Sequence, residues 1–133
     1  MRPVRGVRLV HLDRISDSRG SLLPFGSTPF DVKNVFFIRD CPPGAIRAEH
    51  ATSSEEVIVA LSSAVTVDLD NGTEQEFLRL TSPDQALVVS PGVWVRLREF
   101  TEETALVVLS SEAHADVERF DRPNPALLEH AER

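Results

Sequence analysis

The chain has 133 residues, 41% apolar and 26% charged, which suits one globular domain over residues 1–133 with a single core. A net charge of −7 argues against nucleic acid as a partner, yet a few local arginines can still hold a small anionic ligand. No apolar run is long enough to cross a bilayer, and the opening "MRPVRGVRLVHLDRI" lacks the continuous apolar stretch of a signal peptide.

In chain order, short apolar segments alternate with turn signals. Val7 to Leu12 is the first, followed by the polar turn "SDSRGSL" and then "VKNVFFIRD", Val32 to Asp40. Cys41 is the only cysteine. It excludes an internal disulfide, fits a reducing cytoplasm, and reads as structural ahead of Pro42-Pro43-Gly44. "EVIVALSSAVTVDLD", Glu56 to Asp70, reads as two strands joined near Ser62-Ser63. Asn71-Gly72 then predicts a tight type I′ hairpin turn leading into "FLRL", Phe77 to Leu80.

Ala86 to Ser90 is the next strand, closed by Pro91-Gly92. Val93 to Phe100 alternates at period two, with Val93, Val95 and Leu97 against Trp94, Arg96 and Arg98. Ala105 to Ser111 is the last strong strand. Asn124-Pro125 starts a short helix through "ALLEHAER", with proline at the first helical position. Many short strands with closely spaced turns predict an all-β sandwich or barrel.

The chemistry concentrates in "PPGAIRAEHATSSEEV", Pro42 to Val57. A metal-binding double-stranded β-helix would carry His-x-His, a nearby Glu and a distant His. Here Thr52 follows His50 at the second position and Val95 stands near the last histidine's place, so the ligand count falls short. No metal is expected. His50 can instead serve as a general base near neutral pH, or be a plain surface histidine at a loop-to-strand transition. His11, His114 and His130 have no partner-like neighbours and read as incidental.

Arg19 and Arg47 would bind a diphosphate if they converged on one cavity, and would otherwise be solvated turn residues. Trp94 either fills the core or forms an aromatic wall at a cavity mouth. No P-loop, GxGxxG or Ser/His/Asp arrangement is present.

The order "DSRGSL", "FDVKNVFFI", "GAIRAEHA", "DLDNG", "SPGVW", "ALVVLSSE" resembles the dTDP-4-keto-6-deoxyhexose 3,4-ketoisomerases, WxcM-like cupins related to the RmlC-type sugar epimerases. The likeness runs from about Leu9 to Phe120. It implies a cupin jelly-roll barrel, usually a homodimer with exchanged N-terminal strands. It also implies a metal- and cofactor-free reaction that moves a keto group between C4 and C3 of a dTDP-linked 6-deoxysugar.

The departures from the pattern are specific. The family's arginine-glycine-x-His-x-His falls on Arg47, Ala48, Glu49, His50, Ala51 and Thr52, so the second histidine is lost. Its usual glutamine corresponds to Glu56, its aromatic pair with the catalytic tyrosine to Phe36 and Phe37, and a turn glycine to Ser63. The expected site therefore has His50 as base, with Glu49 or Glu56 relaying protons. Arg19, Arg47, Phe37, Thr52 and Trp94 are placed around the substrate. Two other readings stand: a repurposed cupin enzyme acting on a less polar natural-product intermediate, and a binding protein without activity in a filled barrel.

Overall fold

The computed structural model describes residues 4–131. The strands are β1 (Val7–His11), β2 (Ile15–Asp17), β3 (Gly20–Leu22), β4 (Asn34–Arg39), β5 (Arg47–Thr52) and β6 (Glu56–Ser62). They continue with β7 (Val65–Asp70), β8 (Gln75–Leu80), β9 (Gln85–Val89), β10 (Trp94–Arg98), β11 (Ala105–Ser110) and β12 (Arg119–Phe120). A 3-10 turn, His114–Asp116, precedes β12, and helix α1 spans Pro125–Ala131. The two last residues of the expected helix, and the first three of the N-terminal stretch, lie outside the described residues.

Two five-stranded antiparallel sheets face each other, in the orders β1-β9-β6-β11-β4 and β12-β5-β10-β7-β8. This is the jelly-roll barrel of the cupins. The alternation read in the sequence decides which side chains fill it. Val93, Val95 and Leu97 are buried, while Trp94, Arg96 and Arg98 point to the other face. Val65, Val67, Leu69, Leu80, Leu87 and Leu106 complete the core between the sheets, and Cys41 is buried within it.

Helix α1 closes the barrel by burying Leu128 completely. It docks against Gly92, where an added Cβ would lie 2.3 Å from the Asn124 carbonyl oxygen. Only glycine permits that approach, at a positive φ of 86°. No helix among the described residues is long and apolar enough to cross a membrane.

The Asn71-Gly72 turn differs from the sequence expectation. β7 and β8 are joined by a four-residue loop, and of its first two residues only Gly72 is left-handed, so it is not type I′. The Asn71 side-chain oxygen accepts from the backbone N–H of Thr73 and Glu74, at 2.9 and 2.8 Å, and fixes the loop itself. The β2–β3 hairpin, β5 and β12 also lie beyond the sequence reading, because segments this short or polar carry no alternation.

Candidate active site

A cavity of about 300 Å³ opens between the sheets, at the lower end of the range for small-molecule sites. The barrel is thus not filled. Its apolar floor is Ile58, Val95, Leu97 and Val108, all nearly fully buried members of the core. β4 contributes Asn34, Phe36 and Ile38, β5 contributes Arg47, Ala48, His50 and Thr52, and β6 contributes Glu56. Ser110 of β11, and His114, Val117 and Arg119 from the segment after it, complete the lining.

A β-bulge aims His50. Val95 pairs with His50, but Arg96 pairs with Ala48, so Glu49 is the unpaired extra residue. Ala48 and Glu49 both sit in the left-handed region, at φ 67° and 58°. Such strain, at two non-glycine residues directly before the candidate base, is the kind that collects at functional positions. The bulge turns Glu49 out to solvent while Ala48, His50 and Thr52 line the cavity.

Electrostatics divide the two titratable groups. Burial pushes the His50 pKa below 6.5, helped by the positive charge of Arg119, so the imidazole is neutral near pH 7. Burial pushes the Glu56 carboxyl from 4.5 up to about 7, against the opposing pull of Arg119. Near neutrality, then, Glu56 can either hold or release a proton while His50 can accept one. A histidine pushed down and a carboxyl pushed up in one cavity form an arrangement suited to proton transfer. Among the described residues, no group of three or more His, Cys, Asp or Glu is placed to hold a metal ion.

Of the residues expected from the sequence, the cavity brings together His50, Glu56, Arg47, Phe37 and Thr52. Two of these stand differently from expectation. Phe37 touches the edge of the cavity but is 69% exposed, because strand alternation turns Phe36 inward in its place. The Thr52 hydroxyl is committed to its own turn, donating to the Ser54 carbonyl at 3.1 Å and accepting from the Ser54 N–H at 3.2 Å.

Glu49, Arg19 and Trp94 do not line the cavity. Glu49 is displaced by the bulge. Arg19 lies in the β2–β3 turn, where its Nη2 is 2.6 Å from Asp17 and its side chain is 88% exposed. Trp94 lies on the outer face of β10 with the Arg96 guanidinium 5.6 Å from its ring centroid, lining an outer groove instead of the core or the barrel cavity.

Sequence reasoning missed Arg119, Asn34 and Ser110, and set His114 aside. The register places Arg119 beside β5: β12 pairs with it so that Arg119 lies opposite Thr52. Directly opposed residues in an antiparallel pair share a face, so Arg119 faces the cavity with Thr52. A two-residue strand offers no periodicity from which this could be read.

Comparison with known proteins agrees with this architecture. Residues 5–121 match the family described as WxcM-like, C-terminal (FdtA). The TDP-4-oxo-6-deoxy-alpha-D-glucose-3,4-oxoisomerase of Aneurinibacillus thermoaerophilus is 31% identical over 115 residues, 84% of this chain and 83% of the relative. The sugar 3,4-ketoisomerase QdtA of Thermoanaerobacterium thermosaccharolyticum, solved with TDP, superposes with a TM-score of 0.82 at 27% identity, covering 98% of this chain and 97% of its own. The TDP-quinovose 3,4-ketoisomerase WlaRB of Campylobacter jejuni gives 0.80 at 29% identity, covering 84% and 88%. The chain therefore belongs to the WxcM-like, C-terminal (FdtA) family, among relatives that are TDP-sugar 3,4-ketoisomerases.

Proposed function

We propose that this chain is a sugar-nucleotide 3,4-ketoisomerase acting on a dTDP-linked 4-keto-6-deoxyhexose. The observation that carries the reading is the convergence of His50 and Glu56, both partly buried, on one small, apolar-floored cavity. His50 removes the proton from C3. The C–H pair becomes the C3–C4 double bond, and the carbonyl pair moves onto O4 as an enediolate. Glu56 passes a proton between O3 and O4, His50 returns its proton to C4, and C3 becomes the ketone. Atoms and electrons balance without metal, oxidant or reductant.

Arg47, at the cavity mouth, is the candidate to hold the diphosphate by charge-assisted bonds. The sugar occupies the cavity and the nucleotide lies across its mouth. Exposed Ile15, Leu22, Val35, Phe37 and Leu61 favour a homodimer, and the free thiol of Cys41 suits a reducing cytoplasm. Sedimentation equilibrium tests the dimer.

The test of function is incubation with TDP-4-keto-6-deoxyglucose in deuterated water, followed by NMR. Wild type is expected to form the 3-keto product with deuterium entering the ring, and His50→Asn to lose at least about 100-fold in rate. No exchange by the wild type would overturn the reading.

One observation favours a second reading. The cavity is walled by Phe36, Ile38, Ile58, Val95, Leu97 and Val108, and Arg19 stands outside it, which suits a less polar natural-product intermediate. Thermal denaturation with dTDP separates the two. A clear stabilisation that Arg47→Ala weakens supports the sugar nucleotide, and no shift at millimolar dTDP supports the alternative.

A further inference from the structure

The proposed reaction places negative charge on O4 of the sugar, and a cavity that runs it must present a donor there. The lining narrows the choice. The Thr52 hydroxyl is committed to the Ser54 backbone. The Ser110 hydroxyl donates to the Glu112 carbonyl at 3.0 Å and shares a 2.6 Å bond with the Ser54 hydroxyl. Phe36 has no donor, and His50 and Glu56 are occupied as proton carriers. Arg47, Asn34, His114 and Arg119 remain.

Arg119 differs from the other three. It sits directly opposite Thr52 and diagonal to His50, on the strand that extends the catalytic sheet. Its charge acts on both His50 and Glu56. Among the described residues its guanidinium makes one long hydrogen bond, to the Val117 carbonyl at 3.4 Å, and no ion pair. Most arginines on the outer surface beside this sheet have a carboxylate. Among the described residues Arg119 and Arg47, which line the cavity, do not, and of the two only Arg119 acts on both His50 and Glu56.

We propose that Arg119 is a catalytic residue of the ketoisomerase, donating N–H bonds from its guanidinium to the enediolate oxygen as charge builds there. The inference rests on the ketoisomerase reading and deepens it. The guanidinium keeps its protons throughout and stabilises O4 until Glu56 delivers a proton. A planar, permanently charged fork also suits two adjacent oxygens, O3 and O4, better than a single hydroxyl would. In this site an arginine from a different strand thus supplies the electrophilic help that Phe36 and Thr52 cannot give.

The experiment compares wild type, Arg119→Gln and Arg119→Lys on TDP-4-keto-6-deoxyglucose, with dTDP affinity measured separately by calorimetry. The expected result is a roughly 100-fold or larger fall in kcat for Arg119→Gln with dTDP affinity nearly unchanged, and partial recovery in Arg119→Lys. The pH profile supplies a readout that a structural role would not move. The charged and titratable groups facing the cavity are Arg47 and His50 from β5, Glu56 from β6, His114 from the 3-10 turn, and Arg119 itself. Removing the Arg119 charge should move the limbs set by His50 and Glu56 to higher pH. An unimpaired kcat in Arg119→Gln, or a loss matched by equal loss of dTDP affinity, overturns this inference alone. Absence of turnover in wild type overturns the ketoisomerase reading and this inference with it.

Discussion

The two faces of β10 and its neighbours use the same residue types to opposite ends. Outside, Asp68 accepts from Arg96 Nε at 2.8 Å and from Arg98 Nε at 2.7 Å, and the two guanidinium groups lie over Trp94 and Phe77. Burial alone would push the Asp68 carboxyl up, but the hydrogen bonds and charges of Arg98 and Arg96 together outweigh it and hold it below 3.8. Inside, His50, Glu56 and Arg119 share a cavity with no hydrogen bond or ion pair among them. On the outer face charge is neutralised by a neighbour. Inside it is left available, and burial tunes it. The difference separates a structural ion cluster from a candidate chemical site.

The largest expected effect comes from breaking the inner face. Glu56→Gln should lower kcat by roughly 100-fold, since the amide cannot carry a proton between O3 and O4. The same variant should be more stable. The Glu56 pKa is about 7 when folded against 4.5 for the free carboxyl, so the folded state binds more protons between those values. Wild type therefore loses stability as the pH rises from 4.5 through 7, by at most about 3 kcal/mol, and the variant escapes that loss. Urea unfolding at pH 4.5, 6 and 8 measures it. A stability difference that does not grow with pH would mean Glu56 is well solvated. His50 acts in the opposite sense, because its lowered pKa removes stability as the pH falls below 6.5.

Asp68→Asn breaks the outer face and should cost about 2 kcal/mol at neutral pH, because it removes the negative charge and one of the two oxygens that accept from the half-buried Arg96 and Arg98. Wild type itself loses this stabilisation as the pH falls below 3.8 through the lower folded-state value. Turnover should stay within about twofold of wild type, since surface-side changes away from a site seldom reach it. A fall in kcat comparable to that of Glu56→Gln would erase the distinction between the faces.

How much of this was legible in the sequence follows the same division. The alternation of Val93, Val95 and Leu97 against Trp94, Arg96 and Arg98 separated the two faces of β10, because burial of one face imposes period two, but it left open whether Trp94 filled the core. His50, Arg47 and Thr52 were placed at the site by their fit to the family pattern, which left Glu49 and Glu56 as alternatives. Arg119 and His114 were not, since they belong to a two-residue strand and a 3-10 turn brought home by tertiary pairing alone. Arg19 and Trp94 stand outside the cavity for the complementary reason: the residue types suit a site, but a neighbouring Asp17 and the parity of β10 hold them elsewhere.

Backbone conformation runs against residue preference at two positions. Ala48 and Ser63 stand where the family resemblance expects glycines, beside the candidate base and at the β6–β7 turn, and both take a left-handed backbone, at φ 67° and 58°. The conformation is thus enforced by the surrounding sheet against the preference of the side chain. Left-handed backbone costs a non-glycine residue about 1 kcal/mol, so Ala48→Gly should stabilise the protein by up to about that amount, less the extra entropy glycine gains when unfolded. This is the smallest effect of the series, readable as a rise of a few degrees in Tm at most. Its value lies in the kinetics. If the bulge is held open by pairing with β10 alone, Ala48→Gly leaves kcat unchanged. If the alanine methyl on the cavity wall also restricts the loop before His50, the glycine variant is more stable yet slower, and strain at Ala48 is then part of what aims the base.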